Sequence, residues 1–228
     1  GGMRLVTDSL AHDLRSPLTR AKGSIETALR KRGGDAATYR EALEQTAGEL
    51  ETIQHTFDSL INIAQAEAGL NRLTLSELDL SALAGDLLEV YQPIAEDAGQ
   101  DLDGAIAPGI TVKGHRQLLG QALANLLDNA IKYSPAGGRI SFDLAATADG
   151  HAELSVADGG PGIPAEDRER VLQRFVRLDV SRGTPGSGLG LSLVAAVAKL
   201  HGTDLTLEDN APGLKVTLTF KADGPNPQ

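Results

Sequence analysis

Two long stretches with helical periodicity, separated by one break, constrain the fold of this chain more than any other feature. Arg32-Gly33-Gly34-Asp35 forms the break and is typical of a loop. Apolar residues on either side recur at alternating steps of three and four, which gives each helix a single apolar seam. The first seam is Ala11, Leu14, Leu18, Ala21, Ile25 and Ala28, and the second is Leu43, Ala47, Leu50, Phe57, Ile61, Ala64 and Ala68.

Two long helices joined by a short loop form an antiparallel hairpin. A single hairpin has too little surface to bury both of its own seams. Pairing with a second copy would complete a four-helix bundle, so the pattern predicts a homodimer formed through the hairpin. The alternative is a hairpin that packs on the rest of its own chain.

The second half of the chain mixes helical and strand-like patterns, and it predicts an α/β sandwich with a layer of helices on one sheet. The predicted helices are Ser81–Ala98, Gln117–Tyr133 and Leu189–Leu200, and the predicted strands are Arg139–Leu144, Ala152–Val156, Asp204–Leu207 and Lys215–Phe220. The fold class is therefore α+β, a helical hairpin followed by the sandwich. We expect the hairpin in residues 3–68, a linker in 69–79, the sandwich domain in 80–222 and a frayed polar tail in 223–228.

Composition excludes several functional classes. The net charge of −10 opposes non-specific binding to nucleic acid or to an anionic membrane. The chain has no cysteine, so a disulfide scaffold, a thiolate zinc site and a cysteine nucleophile are all excluded. No apolar run approaches the length of about 20 residues that a membrane span needs, so we expect this fragment to make no membrane contact.

His12 is the candidate nucleophile. It lies one residue past the seam residue Ala11, about 100° round the helix, where its ring can reach solvent as a phosphate acceptor must. A neutral imidazole attacks through one nitrogen while the other keeps its proton. The adjacent Asp13 can hold that N–H and stabilise the ring after attack. A lone histidine on a helix is usually an ordinary surface residue. Whether His12 is a nucleophile therefore depends on whether the rest of the chain can bind a phosphate donor.

Two glycine-rich elements could bind an anion through their backbone N–H groups. Asp158 to Ile163 follows a predicted strand, and Gly186 to Leu191 opens a predicted helix. Glycines let the backbone approach phosphates closely, and a helix N-terminus presents free N–H groups. Neither element matches the Walker pattern. Asp158 could accept a hydrogen bond from an exocyclic amine such as that of adenine, or it could simply cap a turn.

The segment from Asn125 to Tyr133 is more informative. Asn125 and Asn129 are four residues apart and share one helix face. Two amides on an apolar helix are costly unless they are satisfied, and an amide oxygen is a suitable ligand for Mg²⁺. Lys132 lies about one turn from Asn129, where it could meet a phosphate. Between the glycine elements lie five arginines, which are either a solvated surface or a mobile lid over a triphosphate: Arg168, Arg170, Arg174, Arg177 and Arg182.

Together these segments resemble the catalytic core of bacterial two-component sensor histidine kinases. Residues 5–68 resemble the dimerisation and histidine-phosphotransfer domain, and residues 76–221 are similar to the Bergerat-type ATP-binding domain shared with gyrase and MutL. Five segments match the family's motifs in the family's order. They are His12 to Leu18 (phosphoacceptor), Asn125 to Tyr133 (asparagine box), Asp158 to Gly162 and Gly186 to Gly190 (glycine boxes), and Arg174 to Arg177 (phenylalanine box).

The resemblance implies a role for each candidate residue. His12 would be the nucleophile, Asp13 its orienter and proton acceptor, and Asn129 the Mg²⁺ ligand with Asn125 beside it. Asp158 would read adenine, and Phe175 would anchor the lid. The remaining ATP-site residues would border the phosphates or shape the pocket: Lys132, Tyr133, Gly160, Gly162, Gly186, Ser187, Gly188, Leu189 and Gly190.

The resemblance also implies partners: ATP with Mg²⁺, a second copy of the chain, and a response-regulator receiver domain that takes the phosphate on an aspartate. It places the chain in the cytoplasm as part of an inner-membrane sensor. Relatives that dephosphorylate their regulator often carry Thr or Asn four residues after the histidine, where this chain has Ser16, so phosphatase activity stays open. The rival hypotheses are an ATP-driven clamp of the gyrase type and a degenerate kinase that acts only as a scaffold.

Overall fold

The computed structural model describes residues 17–30, 36–68, 75–178 and 188–221. His12, Asp13, Ser16, Gly186, Ser187 and Arg182 lie outside the described residues. The chain divides into two compact units. One contains the helical hairpin up to Ile61 together with Gln173–Leu189, and the other contains Asn62–Leu172 together with the chain from Gly190 onward.

The first unit is built on two antiparallel helices. Residues 17–30 are the described part of helix α1, and helix α2 spans Ala36–Ala68. Two contacts fix their direction, because the partner's number falls as the number on α1 rises. Arg20 binds Glu49 through two hydrogen bonds of 2.6 and 2.8 Å, and Ser24 Oγ donates to Gln45 at 2.8 Å. The predicted hairpin is confirmed in its described part.

The hairpin buries small side chains and leaves the large apolar ones exposed. Ala21, Ala28 and Thr46 are buried, whereas Leu29 is 72% exposed and Phe57 is 56% exposed. Other seam residues are also exposed: Leu18, Ile25, Leu43, Leu50 and Ile61. In the described residues, the single hairpin therefore covers the seam residues Ala21 and Ala28 but leaves the large apolar side chains of both seams exposed.

The second unit is an α/β sandwich with a five-stranded sheet. After the short strand β1 (Ser76–Asp79) come α3 (Leu80–Asp97), β2 (Asp101–Asp103), β3 (Thr111–Gly114), α4 (Arg116–Tyr133), β4 (Arg139–Ala146), β5 (Ala152–Ala157), α5 (Gly190–Leu200), β6 (Asp204–Asp209) and β7 (Leu214–Phe220). The sheet order is β2-β4-β5-β7-β6, with β2 parallel to β4 and the other pairs antiparallel. β1 and β3 form a separate antiparallel pair.

Alternation on the strands explains the core. Ile140, Phe142 and Leu144 on β4 are two residues apart and fully buried, as expected for one face of a strand. The leucine-rich faces of α3, α4 and α5 pack on one another and on the sheet. The α+β fold class is thereby confirmed, and so are the three helices and four strands predicted from the pattern, with small shifts at their ends.

The boundaries near residue 79 need a correction. The segment 69–79 was expected to be a linker, but Ser76–Asp79 is strand β1, which pairs with β3 in the register Ser76 to Gly114. The sequence pattern did not predict strands β1, β2 and β3. Of the helices in the described ranges, none combines the length and the apolar character that a membrane crossing requires.

Candidate functional site

Helix α4 carries two amides toward the start of α5. Asn125 is buried, and its Nδ2 donates to the carbonyl of Gln121 at 2.9 Å, which leaves Oδ1 for another partner. A Cβ atom on Gly190 would lie 3.1 Å from Asn125 Oδ1 and 3.3 Å from Asn129 Nδ2. Both predicted amides therefore meet at the first residue of α5, and only a glycine there leaves the space beside them open.

The C-terminus of α4 is fixed by a residue that the sequence did not single out. Buried Gln100 donates through Nε2 to the carbonyls of Ile131 and Ser134, each at 2.8 Å. These carbonyls belong to the last turn of the helix and its cap, which have no helical donor of their own. Gln100 thereby sets where α4 ends. Beside this end, the Lys132 ammonium lies 4.8 Å from the centre of the Tyr133 ring.

Asp158 occupies the position directly after β5 and is buried, with 9% of its surface exposed. Its Oδ1 accepts hydrogen bonds from the N–H groups of Gly160 at 2.8 Å and Leu214 at 3.3 Å. Among the described residues, Oδ2 has no hydrogen-bond partner. Burial raises the pKa of the Asp158 carboxyl, while the two backbone hydrogen bonds oppose that rise. A buried carboxyl with one oxygen held and the other unoccupied suits recognition of an amine on a ligand.

The first glycine element packs closely on its surroundings. A Cβ on Gly160 would lie 2.8 Å from the carbonyl oxygen of Tyr133, so this loop touches the end of α4. Gly162 has a φ of 68°, a conformation that other residues rarely adopt, and its Cβ would meet the carbonyl oxygen of Gly213 at 2.7 Å. The structure therefore brings Tyr133, Asp158, Gly160 and Gly162 together.

Three further predicted residues, Phe175, Gly188 and Leu189, belong to the other unit. The Phe175 N–H donates to the carbonyl of Gly188 at 3.0 Å, and a Cβ on Gly188 would lie 3.1 Å from the Phe175 carbonyl carbon. Leu189 is fully buried. The phenylalanine element and the second glycine element are thus in backbone contact, whereas the lid function of the arginine stretch stays a prediction. Arg168 and Arg170 there make local contacts, with the Ile163 carbonyl and Asp167.

The turn between β6 and β7 also contributes to the site, although the sequence pattern gave no sign of this. Asn210 Nδ2 donates to the Asp158 carbonyl at 2.8 Å, and Leu214 O accepts from the Asp158 N–H at 2.9 Å. Asn210-Ala211-Pro212-Gly213 was readable as a turn signature. The pairing of β7 with β5, which brings this turn to Asp158, was not readable from local pattern.

The histidines other than His12 were expected to be structural or surface residues. His115 caps α4, since its Nδ1 accepts from the Leu118 N–H at 3.4 Å. His201 Nε2 accepts from the His115 N–H at 2.9 Å. His151 lies near the exposed Asp149 on the turn between β4 and β5. The expectation is confirmed for these three, and the side chain of His55 lies outside the described part of the structure.

Two family models match most of the chain. Residues 3–69 match the His Kinase A (phospho-acceptor) domain. Residues 114–224 match the family described as histidine kinase-, DNA gyrase B- and HSP90-like ATPase. The first range includes His12, and the second includes every predicted ATP-site residue.

Individual relatives agree with these matches. The chain is 36% identical over 217 residues to the signal transduction histidine-protein kinase/phosphatase MprB of Mycolicibacterium smegmatis, covering 92% of this chain and 42% of the relative. It is 33% identical to the sensor protein IrlS of Burkholderia pseudomallei, covering 94% of this chain and 46% of the relative. The chain thus spans less than half the length of these curated relatives.

Solved structures give the same result. A mycobacterial sensor histidine kinase MprB structure is 36% identical with a TM-score of 0.57, covering 64% of this chain and 96% of the other. The Acinetobacter baumannii histidine kinase AdeS has a TM-score of 0.71 at 22% identity, covering 93% of this chain and 98% of the other. The second likeness concerns the fold alone.

Proposed function

Because the chain belongs to the sensor histidine kinases, we propose that it transfers the γ-phosphoryl group of ATP to His12 and then to an aspartate of a response-regulator receiver domain. The observation that carries the proposal is the buried Asp158 carboxyl: two N–H groups hold Oδ1, and Oδ2 has no hydrogen-bond partner in the part of the chain that the structure describes. The residues beside it lie within the match to the ATPase family, and the phospho-acceptor family match includes His12.

The chemistry at His12 follows from the imidazole. One ring nitrogen attacks the γ-phosphorus, forming the N–P bond, while the bond from phosphorus to the bridging oxygen breaks and ADP leaves. Asp13 would hold the proton of the other ring nitrogen and stabilise the positive ring. Phosphoryl transfer has a loose transition state, so positioning and charge neutralisation provide most of the catalysis. Ser16 would lie about one helical turn from His12.

The amides of α4 fit a magnesium-dependent nucleotide site. Asn129 would hold Mg²⁺ through its side-chain oxygen, with Asn125 beside it, and the glycine at position 190 leaves the space that both amides face. Bound Mg²⁺ would neutralise charge on the phosphates. Lys132, at the end of the same helix, would border the phosphates together with Tyr133 and the second glycine element.

The experiment is incubation with γ-labelled ATP. Wild-type protein should acquire acid-labile, alkali-stable label, and His12→Gln should acquire none. His151→Gln is the matched control, because it removes an imidazole from a surface turn, and it should be labelled like wild type. Acid-stable label, or label that persists in His12→Gln, would contradict the proposal. Steady phosphate release without labelled protein would instead favour the ATP-driven clamp.

We further propose that the hairpin forms a homodimer, since its large apolar side chains are exposed in the single chain. The parent protein would be an inner-membrane sensor that places this part in the cytoplasm. The name of the MprB relative includes a phosphatase, and a Ser16 hydroxyl could position a water for that reaction. Ser16→Ala should then slow loss of phosphate from a phosphorylated receiver domain without slowing labelling of His12.

A further inference from the structure

The turn between β6 and β7 holds Asp158 through both its backbone and its side chain. Asn210 Nδ2 donates to the Asp158 carbonyl at 2.8 Å. Leu214 accepts from the Asp158 N–H at 2.9 Å and donates to its Oδ1 at 3.3 Å. The other contact is the Gly160 N–H, at 2.8 Å from Oδ1. Three of these four hydrogen bonds therefore come from the segment 210–214.

Packing within the turn leaves Asp158 little freedom. The Asn210 N–H donates to the Gly213 carbonyl at 3.0 Å, which closes the turn on itself. Gly213 has a φ of 119°, and a Cβ there would lie only 1.7 Å from the Asp158 carbonyl oxygen. The same residue is close to the first glycine element, since a Cβ on Gly162 would lie 2.7 Å from the Gly213 carbonyl oxygen.

We propose that the segment 210–214, which we call the β6–β7 turn, is a wall of the base pocket and that Asn210 is a positioning residue for Asp158. The turn would thereby set the preference for a purine that carries an amine at position 6. The reason is geometric: a carboxyl distinguishes an amine from a hydrogen only when its accepting oxygen is held in place. This inference rests on the proposed function, in which Asp158 reads adenine.

Asn210 is suited to a selective test because its side chain is exposed and forms no part of the core. Removing its amide should leave the sheet folded and free only the Asp158 peptide. Asp209, the last residue of β6, provides a matched control beside the turn, since its carboxyl accepts from the Ala211 N–H at 3.3 Å and not from Asp158. Asn210→Asp is a second variant of unchanged size, in which a carboxylate faces the Asp158 carbonyl oxygen.

The experiment measures binding of two nucleotides by isothermal titration calorimetry to the whole 228-residue chain. The probes are ADP and purine riboside 5′-diphosphate, which lacks only the 6-amino group. Wild type should prefer ADP by about tenfold or more, and Asp158→Asn should lose most of that preference. Asn210→Ala should weaken ADP binding about fivefold while changing binding of the amine-free nucleotide by less than about twofold. Asn210→Asp should lose more of the preference, and Asp209→Ala should keep it.

The outcomes distinguish the reading of adenine by Asp158 from the positioning role of Asn210. If wild type does not distinguish the two nucleotides, the reading of adenine by Asp158 fails. If wild type distinguishes them and Asn210→Ala distinguishes them equally well, the role of Asn210 fails alone. Equal weakening of both nucleotides, or an equal loss of preference in Asp209→Ala, would indicate a general deformation of the turn and would also overturn the positioning role.

Discussion

Gly190 begins helix α5, and the space around it explains why a glycine stands at this position. Alanine is a better helix former, and the backbone of Gly190 is not in the left-handed region. A Cβ there would nevertheless crowd the Asn125 and Asn129 amides, at 3.1 and 3.3 Å. The Asn125 amide is buried and tied to the Gln121 carbonyl, so it cannot easily move away.

We therefore expect Gly190→Ala to weaken Mg·ADP binding about tenfold, since small misplacements of binding groups are costly, while the unfolding midpoint changes little. Calorimetric titration and urea unfolding measure the two quantities. Gly120→Ala on α4 is the control, because its Cβ would make only an ordinary contact with Leu83 at 3.6 Å. Equal binding by the two variants would show that the space beside the amides is not needed.

His201 makes stability depend on pH through a fixed tautomer. Its Nδ1 lies 2.7 Å from the Val197 carbonyl, to which it donates, and its Nε2 accepts from the His115 N–H. A second proton on the ring would sit on Nε2 and would point at the His115 N–H, so the charged form would lose this hydrogen bond. Burial lowers the pKa of His201, as does the nearby His115, against the opposing effect of the Val197 carbonyl. Charged groups on the neighbouring elements include Lys113 on β3, Arg116 on α4, Asp86 on α3, which binds Arg116, and Lys199 on α5.

A lowered pKa means that the unfolded chain, where histidine titrates near 6.5, binds a proton that the folded chain resists. The stability that His201 contributes is complete above that pH and is lost as the pH falls below it. We expect wild type to lose more stability than His201→Gln between pH 7.5 and 5.5 in urea unfolding. Parallel losses in the two proteins would refute the expectation.

Single residues were predictable from the sequence where the chemistry is local. The amide pair on α4 follows from a spacing of four, and Asp158 follows from its place after a strand. Gln100, Asn210 and Gly213 could not be found in this way. Each acts on a partner far along the chain, at Ile131 or Asp158, and only the tertiary fold brings them together.

At the scale of elements, long periodic segments were predictable and short strands were not. Helices α3 and α4 begin one residue before their predicted starts, because their apolar faces and caps are encoded locally. β1 and β2 are rich in acidic residues, which are depleted in strands. They form because β3 and β4 supply partners from elsewhere in the chain.

The start of α3 offers a test at this scale. Asp79 Oδ1 accepts from the Ala82 N–H at 2.8 Å, which satisfies one of the free donors of the first turn. Asp79→Ala should lower the free energy of unfolding by about 1 kcal/mol, and Asp79→Ser, which keeps a capping oxygen, by clearly less. Urea unfolding of both variants measures the difference. An equal loss would mean that Asp79 matters as part of β1 and not as a cap.

At the scale of the whole molecule, the exposed seam of the hairpin predicts self-association. Leu50 on α2 is 52% exposed, and a charge at this position would be buried without a partner in a four-helix bundle. We expect Leu50→Glu to weaken dimerisation by about a hundredfold or more, as measured by sedimentation equilibrium. Ala37→Glu, which adds the same charge on a different face of the helix, should remain dimeric. A monomeric wild type would remove the basis for the prediction.

The contact between Asp158 and Leu214 has a consequence for biosynthesis. His12 leaves the ribosome before Leu214, the first residue of β7, which donates the hydrogen bond that holds Asp158 Oδ1. A nascent chain would therefore carry His12, the proposed phosphate acceptor, before it can bind a nucleotide. Chains cut before Leu214 should not retain ADP on a calorimeter or a filter, whereas chains cut after Phe220 should. Synthesis of β7 would then be the event that first makes the protein competent to use ATP.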